Sequence, residues 1–302
     1  MTTPVALPTD PTTTEPTDLP LQARPRRGKA WYWRLAALTV GALIFLFPFY
    51  YMIIGSLQST SNSKLSGVLP NPSTLTLENY KSINGAISLG RSLINSGIFT
   101  GGVLFCTLIF GLLAGYALAQ LQFRGRGAVF SSVLLVLVIP FQLLTIPLYV
   151  LIVRSYGMAD SYLGMILPFA INSTAVFVFR QFFLQLPKDL FDSARLDGAS
   201  ELRVLMSIAM PLSRPAILTA VIVTFIGPWN EFLWPFLVTK QQNLQPLAVS
   251  LANYISNLAG RATNPYGAIL AGAFVLAVPA IALFIAFQRQ FVQTDLGSGV
   301  KG

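Results

Sequence analysis

Side chains able to do chemistry are few in this chain, and the first group is set into long apolar runs. Gln142 and Thr145 lie in VIPFQLLTIP between Pro140 and Pro147; Asn172, Ser173 and Thr174 follow Pro168; Asn230 and Glu231 lie in IGPWNEFLWP after Gly227 and Pro228. A carboxyl group within lipid costs at least a few kcal/mol unless it is paired or hydrated. Glu231 is therefore either a functional group or one that fixes packing against a neighbouring span or subunit. The prolines and glycines beside these polar groups predict broken helices, which a bilayer tolerates where backbone lines a cavity. Gln142, Asn172, Asn230 and Glu231 are read together as a polar passage. A proton-carrying role for Glu231, as in an ion-coupled secondary transporter, is the alternative.

The second group is the polar segment Leu186–Pro215. It holds four of the eleven acidic residues between Asp189 and Glu201, with Arg195 and Arg203 interleaved. Its pattern predicts two short amphipathic helices, Lys188–Leu196 and Ala199–Met210, with Gly198 turning the chain between them. An ordered charged segment between two apolar runs reads as a docking surface. A helix lying on lipid headgroups is the other reading, but it calls for a basic polar face, and this segment is mixed in sign.

What the chain lacks narrows the chemistry further. It has no histidine and one cysteine, Cys106, in an apolar run. That excludes His-based catalysis, a Cys/His metal cluster and a disulfide framework, so neither catalytic residues nor metal ligands are assigned. No GxxxxGK[ST] loop is present and no polar segment is large enough to hold one. If transport here is ATP-driven, the ATPase is another chain.

The elements that must position these groups follow from hydropathy. With 302 residues, 54% hydrophobic and 10% charged, the chain reads as an all-α polytopic membrane protein. Six runs reach the ~20 residues needed to cross a bilayer, roughly at 34–57, 93–119, 128–153, 161–184, 215–239 and 266–288. Residues 1–30, rich in Pro, Thr and Asp and then basic, are expected to be a disordered tail, and 31–302 the membrane domain. With the N-terminus inside, 14 of the 20 Lys and Arg fall on the cytoplasmic side, which puts both termini and the 186–214 loop there. This topology accounts for the net charge of +9 without any nucleic acid. The loops at 58–92 and 240–265 are expected as short outer caps. Gly97, Gly101, Gly111 and Gly115 form two small-xxx-small pairs for close helix approach.

The segment DSARLDGASELRVLMSIAMP resembles the EAA loop of bacterial ATP-binding-cassette importer permeases, E-A-A-x3-G-x9-I-x-L-P. Asp192, Ser193 and Ala194 stand at E-A-A, Gly198 at G, and Ile208, Met210 and Pro211 at I-x-L-P, with conservative departures at Asp192, Ser193 and Met210. GYALAQLQFRGRG at 115–127, WNEFLWPF at 229–236 and the tail FQRQFV are similar to the MalG-type carbohydrate permeases of the MetI-like group. The resemblance implies a non-enzymatic permease subunit in the bacterial inner membrane. Its implied partners are a second related permease, an ATP-binding subunit dimer that carries ATP and Mg, and an extracytoplasmic sugar-binding protein; the chain itself holds no cofactor. Asp192, Ser193, Ala194, Asp197, Gly198, Arg203, Ile208 and Pro211 would couple to the ATPase, with Leu196, Leu202 and Leu205 as apolar contacts. The resemblance is nearest to amino-sugar and sugar-phosphate importers and leaves the cargo open among oligosaccharides, amino sugars, sugar phosphates and glycerophosphodiesters. Trp229 and Trp234 would either stack on a sugar face or anchor their span at the membrane interface.

Overall fold

The computed structural model describes residues 28–61, 69–257 and 259–298, the side chains of 261 and 289–298 excepted. Most of the expected tail, the basic residue Lys64 and the final VKG lie outside the described residues. By internal contacts the chain divides into 1–48 and 49–302. Helix α1, Lys29–Ser56, begins two residues inside the segment expected to be tail. From Leu35 to Phe49 it is apolar on every face apart from Thr39 and Gly41.

Among the described residues, the regular structure of the second unit is helical apart from one isolated bridge between Gln58 and Leu75. Its long central helix is α3, Leu89–Gln120. Short helix α2, Glu78–Ile87, precedes it, and α4, Arg126–Val138, follows. α5, Phe141–Leu148, runs on as a wide turn through Ser155. α6, Tyr162–Ile166, and α7, Ser173–Gln185, come next. The polar segment holds α8, Lys188–Leu196, α9, Glu201–Val204, and α10, Met210–Leu212. The chain ends with α11, Arg214–Asn230, α12, Leu233–Val238, α13, Leu247–Asn257, and α14, Pro265–Ser298.

Of the runs expected to cross the bilayer, only α1, α3 and α14 are single helices long and apolar enough to do so, among the described residues. The third run is bent by 97° between Val138 and Phe141, where Pro140 can neither donate its nitrogen nor let Ile139 turn helical. The fourth is bent by 47° between Phe169 and Ser173. The fifth leaves α10 at 79° and is interrupted again at Glu231–Phe232. Nor are the loops at 58–92 and 240–265 mere connections, since α2 occupies one and α13 the other.

α3 is the axis against which α7, α11 and α13 pack. At Gly115 a Cβ would lie 2.6 Å from the Phe179 Cβ and 3.1 Å from the Arg180 nitrogen, and at Gly111 one would lie 3.2 Å from the Phe179 ring. These two glycines let α7 approach backbone to backbone. Gly97 and Gly101, expected to do the same, have open space where a Cβ would be. The C-terminal carbonyls of α3 are held by two cations. Arg126 donates to Ala119 and Leu121, and Arg180 to Leu118, where the helix dipole favours positive charge.

The other end of α3 is fixed by neutral polar groups. Buried Asn95 donates to the carbonyls of Asn243 and Gln245 and accepts from the Tyr162 hydroxyl at 2.7 Å. Ser92 bonds Ser250, and Ser96 accepts the Leu247 N–H. Asn79 and Asn264 bond each other, and both reach the carbonyl of Gln58. The three asparagines have both their donors and their acceptors paired, as burial favours. The buried hydroxyls of Thr100 and Thr107 further along α3 have no partner among the described residues.

Gly115→Leu should overpack the α3–α7 contact at a cost of about 1–3 kcal/mol. Thermal unfolding of the detergent-solubilised chain should show a clear loss for Gly115→Leu and little change for Gly101→Ala.

Candidate functional site

The polar segment folds as a helical hairpin with a defined turn. α8 covers the expected residues, Lys188–Leu196, and closes in a two-bond motif: the Ala199 N–H bonds the Ala194 carbonyl and the Gly198 N–H bonds that of Arg195. The motif demands a left-handed residue, and Gly198 supplies it at φ +80°. Ser200 then caps α9, accepting the Arg203 N–H. The second helix therefore begins at Glu201 rather than Ala199. It widens by one residue through Leu205–Ala209 before Ser213 ends it.

Four side chains make the junction between this hairpin and α3: Phe191, Arg195 and Glu201 from the hairpin and Tyr116 from α3. Arg195 donates to both carboxylate oxygens of Glu201, at 2.8 and 3.3 Å, and to Asp192 at 3.0 Å. Glu201 accepts a third bond, 2.6 Å, from the Tyr116 hydroxyl near the end of α3. Fully buried Phe191 packs beside Tyr116, Phe183, Val204 and Leu205. The Arg195 guanidinium hydrogen-bonded to Glu201 holds that carboxyl below the usual carboxylate range, against a desolvation effect that raises it. The same bond pushes Arg195 up.

The hairpin residues divide sharply between inside and outside. Asp192, Ser193, Asp197, Gly198, Arg203 and Pro211 are exposed, whereas Ala194 and Ile208 pack on the core beneath. Leu205, expected to meet a partner, is buried within the chain. Leu196 is 89% exposed at the tip, with Leu202 and Met206 also exposed. Sequence reading missed Tyr116, Phe191, Arg195 and Glu201 as anchors. A tyrosine hydroxyl near the end of an apolar helix, which needs a partner when buried, was the available signal.

The second group converges on the helix breaks. A cavity of about 460 Å³ is lined by Phe141, Pro168, Asn172, Ser173, Thr224, Gly227, Pro228, Glu231 and further apolar side chains. Asn172 caps α7 by accepting the Ala175 N–H, and Glu231 accepts the Trp234 N–H at the start of α12. Both polar groups thus satisfy helix starts that lipid could not. Gln142 and Asn230 do not line this cavity. Gln142 is exposed on α5, and the Asn230 amide bonds back to the Ile226 carbonyl at 3.0 Å. Trp229 and Trp234 are buried, donating to the carbonyls of Leu276 and Gly164, so neither presents a face to a sugar.

Residues 107–293 match the model of the "binding-protein-dependent transport system inner membrane component" family. The chain belongs to this family. It is 34% identical over 267 residues to the arabinooligosaccharides transport system permease protein AraQ of Bacillus subtilis (strain 168), covering 86% of this chain and 92% of that protein. It is 30% identical to the sn-glycerol-3-phosphate transport system permease protein UgpE of Rhizobium meliloti (strain 1021), over 85% of this chain and 92% of that one. The fold also matches a bacterial ABC transporter involved in the import of the acidic polysaccharide alginate. There the TM-score is 0.75 at 23% identity, covering 85% of this chain and 95% of that one. Membership makes the chain an integral membrane transport permease and sets aside ion-coupled transport through Glu231.

Glu201→Gln should lower stability by about 1 kcal/mol, since both partners are partly exposed and screened. Because the folded-state value of Glu201 is depressed, its contribution is full above the ordinary carboxylate value and is lost as pH falls through the depressed one. The gap between wild type and Glu201→Gln in thermal unfolding should stay constant from pH 8 to about 5 and close only in stronger acid.

Proposed function

We propose that this permease forms half of the membrane passage of an ATP-driven saccharide importer, and that the 186–214 hairpin is where a separate ATPase drives it. The observation that carries the second part is the hairpin itself. It presents Asp192, Leu196 and Leu202 outward from a rigid Schellman turn while Arg195, Glu201 and Tyr116 lock it to α3. Force applied at the tip is thereby delivered to α3, and through Gly111 and Gly115 to α7. The 79° bend before α11 places the hairpin across the direction of the span it feeds, as suits a lever at the membrane surface.

The saccharide reading rests on the relatives, AraQ above all, and the positive-inside charge bias supports a cytoplasmic hairpin and cytoplasmic termini. The working unit would join this chain to a second related permease, two ATP-binding subunits holding ATP and Mg, and an extracytoplasmic binding protein. Asp192, Ser193, Asp197, Gly198, Arg203 and Pro211 would form the outward surface of the coupling site, with Ala194 and Ile208 supporting it from within.

Two substitutions test the coupling site. Gly198→Val forces a β-branched residue to φ +80°, and Asp192→Lys reverses the charge on the exposed face. Both should leave the protein inserted in the membrane and reduce ATP-dependent uptake at least tenfold. Normal uptake by both variants would remove the coupling assignment.

A further inference from the structure

The cavity at the helix breaks has a composition that bears on cargo. Among the described residues lining it there is one carboxylate, Glu231, and no Lys or Arg. One Glu231 oxygen is held by the Trp234 N–H; the other has no partner among the described residues. Asn172 uses its carbonyl oxygen to cap α7, which leaves its amide hydrogens free. Ser173 and Thr224 add hydroxyls to an otherwise apolar wall.

This is a donor–acceptor set suited to hydroxyl groups, around one carboxyl group with no Lys or Arg among the described lining residues. Hydrated by the cavity it faces, one carboxylate without a counter-cation sets the sign of the local field there. We propose that Glu231 makes this part of the passage a charge filter, which passes neutral saccharides and opposes anionic ones such as sugar phosphates and uronates. The cargo half of this inference rests on the saccharide reading above; the field does not. It departs from the sugar-phosphate cargo that the sequence resemblance left open. It also separates this chain's expected cargo from the anionic ones named for UgpE and the alginate importer.

The test reads the field without relying on any cargo. In the assembled transporter, with Cys106→Ala as background, a thiol is placed in the cavity by Ser173→Cys and, separately, by Thr224→Cys. Its modification rates by a cationic and an anionic methanethiosulfonate of similar size are each divided by the rate with free cysteine. Thr224 on α11 lies seven residues before Glu231, about 10 Å at ~1.5 Å per residue. A unit charge at about that distance and an effective dielectric of about 40 separates the two signs on the order of tenfold. We expect a normalised cation-to-anion ratio near that size in the wild-type background, kept by Glu231→Asp and falling to about one in Glu231→Gln. Gln retains an oxygen for the Trp234 N–H, so the fold is preserved. A wild-type ratio near one, a ratio unchanged by Glu231→Gln, or no reaction at either position would overturn the filter. Uptake of labelled arabinotriose is measured alongside. Its presence with a ratio near one keeps the saccharide reading and removes the filter; its absence, with no other saccharide accumulated and the expected ratio, does the reverse.

Discussion

Glu201 receives hydrogen bonds from Arg195 on one helix of the surface hairpin and from Tyr116 on the central span. Without that shared carboxylate, the contacts of the hairpin with α3 among the described residues would be the apolar ones centred on Phe191. Such contacts hold position but can slide, because burial is not directional. A bidentate guanidinium and a phenol converging on one carboxylate fix orientation as well. The orientation of the hairpin against α3 depends on this junction.

The same economy appears at the breaks inside the spans. Proline and glycine free backbone groups in a medium that offers no water, and at two of the breaks a side chain meets them. Asn172 and Glu231 do so by capping α7 and α12. That role alone explains why polar residues occur at those depths. It also leaves half of each group facing one cavity, so structural capping and contact with a passing solute are served by the same residues. At the far end of α3, Asn95, Asn79 and Asn264 satisfy their partners completely and have nothing left over.

Much of this was legible in the sequence, and the limits have physical causes. Hydropathy locates the apolar runs because lipid imposes one length on them, but it cannot register a 97° bend, which leaves composition unchanged. The hairpin's spacing gave α8 and the Gly198 turn, since a left-handed position has few residues that fit it. Leu205 was misplaced because an amphipathic pattern shows that a helix has two faces without saying which meets the chain's own core. Gln142 and Asn230 were grouped with Asn172 and Glu231 by depth. Depth does not fix azimuth, and only the latter pair turns to the cavity. Tyr116 and Glu201 lie 85 residues apart, a pairing that no local pattern encodes.

The central claim is that the tip of the hairpin meets the ATPase. The most direct measurement is site-specific cross-linking from a single cysteine, Leu196→Cys in a Cys106→Ala background, in membranes holding the complete transporter. The account predicts a cross-link to the ATP-binding subunit whose yield changes between nucleotide-free and ATP-bound states. A cross-link only to lipid or to the other permease, in every nucleotide state, would contradict it.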